Sequence, residues 1–383
     1  MVGAGPAGSA TARAASDQGV SVLVLEKKRD IGVPVRCAEG VSELGLKNLI
    51  EVDDSWIAQV ITKSKFVSPD GTEVMSFPGE KGLILHRKIF DLALAGKAVS
   101  AGAQLLTRAY VSGVVRKNNQ ITGVKVERMG EEKVVNASVV IGADGIESQI
   151  SRWAGINIMR KKSYILPCFQ MLLANIDIDP ECVEFYLGNS IAPGGYVWVF
   201  PKGDGIANVG LGIDSGETKR KNALGYLNAF IEKKYPHSSI LSMTAGAVTS
   251  GPSPSKIVGN GFMLVGDAAF QINPFTGGGI INSMIAGDIA GTVAAEAVNE
   301  GNVSAKRLEE YQKKWYKKEG KNNDRSYKIK KVVSQFSDMD FNKIAKLLLP
   351  IPPEKRSGYQ IFKKVLFKHP KLIYNAAKVF GIK

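Results

Sequence analysis

Gly3-Ala4-Gly5-Pro6-Ala7-Gly8 opens the chain, and Glu26 follows at the end of Val22-Leu23-Val24-Leu25. A Gly-x-Gly-x-x-Gly turn between a strand and a helix lets backbone approach a pyrophosphate. The helix N-terminus supplies N–H donors, and an acidic residue ending the second strand binds a ribose hydroxyl. With a helical run over 9–18 and the apolar strand in register, the stretch predicts a dinucleotide site built from Gly3, Gly5, Ala7, Gly8 and Glu26. Only Met1 and Val2 represent the strand that should feed the turn, whereas a buried parallel strand usually runs about 4–8 residues. Most of a central strand is therefore expected to be missing, through a misassigned start or a truncated product. Such a loss is comparable with the whole ~5–15 kcal/mol stability of a domain, enough to abolish cofactor binding.

The rest of the chain bounds the possibilities. Its 383 residues suffice for two domains or one large interleaved unit, and 44% hydrophobic with 22% charged residues marks a packed globular protein. Cys37, Cys168 and Cys182 are too few and too irregular for a disulfide framework or zinc site, which points to a reducing, cytoplasmic setting. His86, His237 and His369 have no ligand spacing, so no metal is expected. The longest apolar stretch, 277–298, is interrupted by Asn282, Asp288 and Glu296 and does not read as a membrane span. The net charge is +14, and much of it follows residue 305, in Lys313-Lys314, Lys317-Lys318, Lys328-Ile329-Lys330-Lys331 and Lys363-Lys364. Interleaved with Leu, Ile, Val and Phe, these lysines read as a membrane-surface element or as the solvated face of a helical cap. No nucleic-acid-binding module accompanies the charge.

Two strands flank the Pro69-Asp70-Gly71 turn, and two more flank Lys117-Asn118-Asn119-Gln120. A helix is predicted over 86–103, with Phe90, Leu92, Leu94 and Ala95 on its apolar side. Val139 to Ile141 and Phe262 to Val265 read as short buried strands, 164–213 as an antiparallel sheet, and 277 onward as a long helix. Nucleotide-type segments thus enclose sheet-type segments. The predicted architecture is α/β: a Rossmann-like domain (1–60, 84–153 and 255–304) interleaved with an antiparallel-sheet substrate domain (61–83 and 154–254). A basic helical region (305–383) follows, and the active site is expected at the domain junction.

Asp144-Gly145 follows the strand at 139–141, and Gly266-Asp267 follows that at 262–265, at the carboxyl ends where ligands bind open α/β sheets. Pro274-Phe275-Thr276-Gly277-Gly278-Gly279-Ile280 then exposes backbone as it opens a helix. With the opening fingerprint, these elements point to FAD, with Asp267 accepting a hydroxyl and the helix start facing phosphate. Tyr196, Trp198 and Phe200 alternate along a strand before Pro201 and Gly203, so the three rings share one face. Read alone, that face is either a sheet core against helices or an apolar wall for a lipid chain. Cys37 alone is an ordinary buried thiol or a functional one.

The three nucleotide elements resemble the FAD-dependent fold of the para-hydroxybenzoate hydroxylase type. Within it the chain resembles the geranylgeranyl reductase family, including archaeal digeranylgeranylglycerophospholipid reductases. Pro34-Val35-Arg36-Cys37-Ala38-Glu39-Gly40 is similar to the family's Cys-Gly-Glu-Gly segment, with Ala38 replacing a glycine. Tyr196-Val197-Trp198-Val199-Phe200-Pro201-Lys202-Gly203, with the later Gly210, fits its Tyr-x-Trp-x-Phe-Pro-x-Gly pattern. The resemblance covers roughly residues 1–300. It implies reduction of isolated double bonds in geranylgeranyl chains by hydride from reduced flavin. It also implies Arg36, Cys37 and Arg87 at the cofactor, a lipid wall of Tyr196, Trp198, Phe200, Pro201 and Gly203, and a proton from Cys37, Glu39 or water. NADPH or an acidic carrier such as ferredoxin would supply electrons, and the enzyme would sit peripherally on the membrane. The alternatives are an aromatic-hydroxylating flavin monooxygenase and a non-catalytic flavin- and lipid-binding protein.

Overall fold

The computed structural model describes residues 1–356 apart from 78, 157, 159, 160 and 220. The chain forms two compact units: Met1–Val35, Arg87–Arg160 and Thr249–Arg325 make the first, and Arg36–His86, Lys161–Val248 and the described residues from Ser326 to Arg356 make the second. The two largest differences from the expected boundaries are these. Residues 36–60 belong to the second unit because Gly40–Ser42 and Ile57–Ile61 both pair antiparallel with Gly82–Leu85. The C-terminal region is divided rather than separate: the helix Ala305–Trp315 lies in the first unit and the helix Asp338–Leu348 in the second.

In the first unit, Leu23–Leu25 pairs in parallel with Gln104–Leu106, and Val140–Gly142 with Phe262–Leu264. Residues 1–3 join the two pairs. Val2 N–H donates to the Ile141 carbonyl at 2.9 Å, Gly3 N–H to Leu25 at 2.8 Å, and Leu25 N–H to Met1 at 2.9 Å. Short as it is, this segment occupies the central position of the sheet, with Val2 bridging in parallel to both Leu25 and Gly142. The helix Pro6–Ser16 buries mostly small residues, among them Ala7, Gly8, Ala10 and Ala12. The helix Ile280–Asn299 therefore packs closely on it: a Cβ at Gly291 would lie 2.4 Å from the Thr11 carbonyl oxygen. Asn118 and Asn119, both with positive φ, turn the hairpin Tyr110–Lys117/Gln120–Arg128. The helix predicted over 86–103 runs Arg87–Ser100, and Leu92 is 58% exposed rather than buried. At 100° per residue Leu92 points away from the stripe of Phe90, Leu94, Ala95 and Ala98.

The second unit is built on a seven-stranded sheet. Its order is Ser239–Thr249, Ile165–Ala174, Ile206–Gly212, Tyr196–Gly203, Cys182–Leu187, Lys63–Val67 and Glu73–Ser76. It is not wholly antiparallel, since Cys182–Leu187 runs parallel to Lys63–Val67. No tight turn joins those two strands, so antiparallel pairing is not imposed on them. The helix Ala223–Lys234 covers one face, burying Leu227 and Ile231 against Val197, Val199, Val209 and Leu211. Lys313 and Lys314, expected in a basic tail, pair with Glu309 and Glu310 along their own helix and form a solvated face. Lys363 and Lys364 lie outside the described residues.

Candidate active site

The first unit offers a nucleotide cradle. Gly3 (φ +100°) and Gly8 are demanded by internal packing: a Cβ would lie 2.4 Å from the Ala143 carbonyl oxygen and 1.9 Å from the Gly3 carbonyl oxygen, respectively. At Gly5 nothing lies within 4 Å, so its bareness leaves room for a group from outside the chain. The helices Pro6–Ser16 and Ile280–Asn299 start at Gly5 and Gly279 without a side-chain cap. The helices beginning after Ser42, Ser148, Asn222, Ser304 and Ser337 all have one. The first amides of the two glycine-loop helices are thus left for an anionic ligand. Glu26 is buried, accepting from the amides of Ala4 (2.8 Å) and Lys28 (2.9 Å), and its two oxygens retain acceptor capacity.

At the other strand ends, burial raises the Asp267 carboxyl above the ordinary aspartate range, and the Arg87 guanidinium opposes that shift. No hydrogen bond from the described residues reaches this carboxylate, which lines a cavity of about 80 Å³ with Ala268, Phe270, Ser148 and Arg152. Asp91 holds Arg87 through two bonds of 2.8 and 2.9 Å. Motif reading missed this brace, although the i, i+4 spacing carries it. It also missed Gln271 and Tyr311. Gln271 Oε1 accepts from Gly266 N–H at 2.7 Å, and its Nε2 donates to Tyr311 Oη, which donates to the Leu264 carbonyl. This buried chain shapes the turn at Gly266 (φ +70°). In the loop 274–279, Asn273 Oδ1 accepts from the amides of Phe275 and Thr276, while Gly277 donates to its carbonyl. Ser250 holds the Pro274 carbonyl, Gly278 N–H donates to Thr276 Oγ1, and Ile280 is buried. Asp144 is spent within the chain: it accepts from Ser148 Oγ and from the amides of Gln149 and Ile150. At Gly145 (φ +78°) a Cβ would meet nothing within 4 Å, so that side of its backbone stays open. The bare Gly5, the two uncapped helix starts and an Asp267 carboxylate that takes no hydrogen bond from the described residues fit FAD.

The second unit carries the aromatic face. Val197 and Val199 point into the helix-covered core, so Tyr196, Trp198 and Phe200 occupy the opposite face. Phe185 joins them, 5.6 Å from both Tyr196 and Phe200, and stacks on Phe66 at 5.3 Å. Motif reading did not include these two rings; the register of neighbouring strands adds them. Pro201 alternates onto the buried face with Val197 and Val199, away from the wall, and Gly203 (φ +89°) ends the strand at a bulge. The loop 36–40 lies against this wall, with Gly40 so close to Phe200 that a Cβ would lie 2.8 Å from its ring. Arg36 is exposed, on the second unit rather than the cradle's own segments. The Cys37 thiol, partly buried, accepts from the Glu39 amide at 3.2 Å. Glu39 is 4% exposed and has φ +75°, a conformation that costs a non-glycine residue about 1–3 kcal/mol. Its carboxylate accepts from Lys202 Nζ and from Asn208 Nδ2. Burial pushes the Cys168 thiol up to about 12 and raises the Tyr196 phenol as well.

Residues 165–248 match the family model described as geranylgeranyl reductase catalytic domain, and residues 1–159 match that described as FAD dependent oxidoreductase. The digeranylgeranylglycerophospholipid reductase of Methanosarcina acetivorans is 44% identical, covering 99% of this chain and 95% of its own. That of Methanocella arvoryzae is 43% identical, over 97% of this chain and 96% of its own. Among solved structures, a geranylgeranyl bacteriochlorophyll reductase-like protein from Thermoplasma acidophilum is similar with a TM-score of 0.93 at 34% identity, covering 99% of this chain and 98% of its own. A myxobacterial FAD-dependent halogenase, at 15% identity and TM-score 0.70 over 99% of this chain and 95% of its own, shares the fold alone.

Proposed function

The chain belongs to the digeranylgeranylglycerophospholipid reductase family of FAD-dependent oxidoreductases, and from that premise we propose which of its residues carry the reaction. It reduces carbon–carbon double bonds of geranylgeranyl lipids with FAD as cofactor. When bound, FAD in its reduced form supplies a hydride to one alkene carbon, and a proton completes the other.

The aromatic face carries this reading. Phe185, Tyr196, Trp198 and Phe200 form an aromatic wall opposite the helix-covered core, suited in shape and chemistry to an isoprenoid chain. An isolated alkene has no carbonyl to withdraw charge, so the reaction depends on holding the chain still and excluding water. The wall and the loop 36–40 do that work. Cys37 is the candidate proton donor on this loop, since Glu39 is engaged by Lys202 and Asn208. In the first unit, Gly5, the amides at Gly279 and Ile280, Glu26 and Asp267 hold the nucleotide, while Asp91-braced Arg87 sets the charge beside Asp267.

Electrons arrive from NADPH or from an acidic carrier such as ferredoxin, and the net charge of +14 favours steering of an acidic partner. The enzyme works peripherally on the membrane holding its substrate. Among the described residues no helix is long and apolar enough to cross a membrane, and Ile240, Leu241 and Met243 stand exposed together on an edge strand.

The test is anaerobic: reduce the flavin-loaded protein with dithionite and add a digeranylgeranyl phospholipid. Flavin reoxidation with a product heavier by two hydrogens per step supports the reading. Flavin that stays reduced beside unchanged lipid overturns it.

A further inference from the structure

Two polar ties hold the loop 36–40 to the sheet beneath it, and Gln170 in one and Asn208 in the other lie outside the motifs that mark the site. At one end the Cys37 carbonyl accepts from Gln170 Nε2 at 3.0 Å, while Gln170 Oε1 accepts from Trp198 Nε1 at 2.9 Å. One amide therefore links the cysteine's backbone to the central ring of the wall. At the other end Lys202 Nζ donates to Glu39 and, at 3.1 Å, to the Leu85 carbonyl. Asn208 Nδ2 donates to Glu39 at 2.6 Å and to the Ala38 carbonyl at 3.3 Å. The side chains of Lys202 and Glu39 are 12% and 5% exposed.

Stability alone is a poor reason for this arrangement. A buried ion pair recovers little more than its own desolvation, and an apolar pair of similar volume often serves as well. What the pair does fix is a shape. It sits on a residue in the left-handed backbone region, whose amide points at the Cys37 sulfur. Without the pair Glu39 is free to relax, which turns that amide and carries the thiol with it.

Resting on the function proposed above, we infer that Gln170, Glu39, Lys202 and Asn208 are positioning residues that hold the Cys37 thiol at a fixed place over the aromatic wall. They act through the loop and do not touch the reacting carbons.

The experiment uses the full-length, flavin-loaded protein. Glu39→Gln/Lys202→Met removes both charges together and leaves no unpaired buried ion. Gln170→Leu severs the other tie. Iodoacetamide labelling of Cys37 is followed by mass spectrometry, and Cys168 and Cys182 compete little because burial pushes them up to about 12 and about 11. Each variant is expected to label Cys37 at least fivefold faster and to lose at least tenfold in kcat with KM within twofold. Lys202→Arg is expected to stay near wild type on both. Folded, flavin-bound variants with wild-type labelling overturn the inference, as does a loss confined to KM. If wild type reduces no lipid, the labelling rates still decide whether the ties place the thiol, so the two failures are distinguishable.

Discussion

Trp198 lies against Gly210 on the neighbouring strand, where the two are directly paired, and a Cβ at 210 would fall 2.5 Å from the indole Cζ2. The later glycine of the motif is thus the seat of the motif's central ring. Gly210→Ala is expected to push the indole off its place, break its bond to Gln170, and cost about 1–3 kcal/mol of stability through overpacking. Urea unfolding measures the cost, and lipid turnover should fall with flavin content unchanged. Equal turnover in Gly210→Ala would show that the indole's place is immaterial.

Asp267 should make stability depend on pH. Burial raises its pKa in the folded chain above the unfolded value. Through the window between them the folded state binds more protons, so stability falls as pH rises, and the loss is complete above the folded pKa. Asp267→Asn is therefore expected to flatten this dependence and raise the melting temperature of the flavin-free protein at pH 7. The same change should weaken FAD binding about tenfold or more, the worth of a hydroxyl bond to a charged acceptor at about 1.5–3 kcal/mol. Calorimetry across pH and flavin titration read the two effects, which run in opposite directions.

Arg87 and Asp91 are 13% and 7% exposed and bonded bidentately. Arg87→Met leaves a buried carboxylate unpaired and should cost about 3–5 kcal/mol. Arg87→Met/Asp91→Leu removes both charges and should recover most of that stability without recovering flavin affinity. If the double variant binds FAD like wild type, Arg87 has no part in the site.

Ile240, Leu241 and Met243 are 51%, 54% and 60% exposed on the edge strand. Replacing all three by serine should weaken binding to vesicles of anionic archaeal-type lipid at least tenfold, since burying one such side chain is worth about 1.5–3 kcal/mol. Sedimentation with vesicles tests this; unchanged binding would place the membrane contact elsewhere.

Much of this molecule was legible as local chain geometry. Gly3, Gly5 and Gly8 mark the turn because a bare backbone is needed there, Asn118-Asn119 marks a hairpin because both residues accept positive φ, and alternation places Tyr196, Trp198 and Phe200 on one face. These are consequences of neighbours along the chain, which a linear pattern records. Other features depended on which distant segments meet. Glu39 finds Lys202 across 163 positions, and Cys37 finds Gln170 across 133. Asp144 turns inward to cap a helix, Pro201 follows the valines to the buried face, and residues 36–60 join the second unit through strand pairing. A charge pattern does not say which opposite charge the fold will bring to it. The sequence by itself therefore determined the nucleotide turn, the aromatic stripe and the chemistry they suggest. Only the tertiary structure decided what braces them, because sheet register and burial select partners that are remote along the chain.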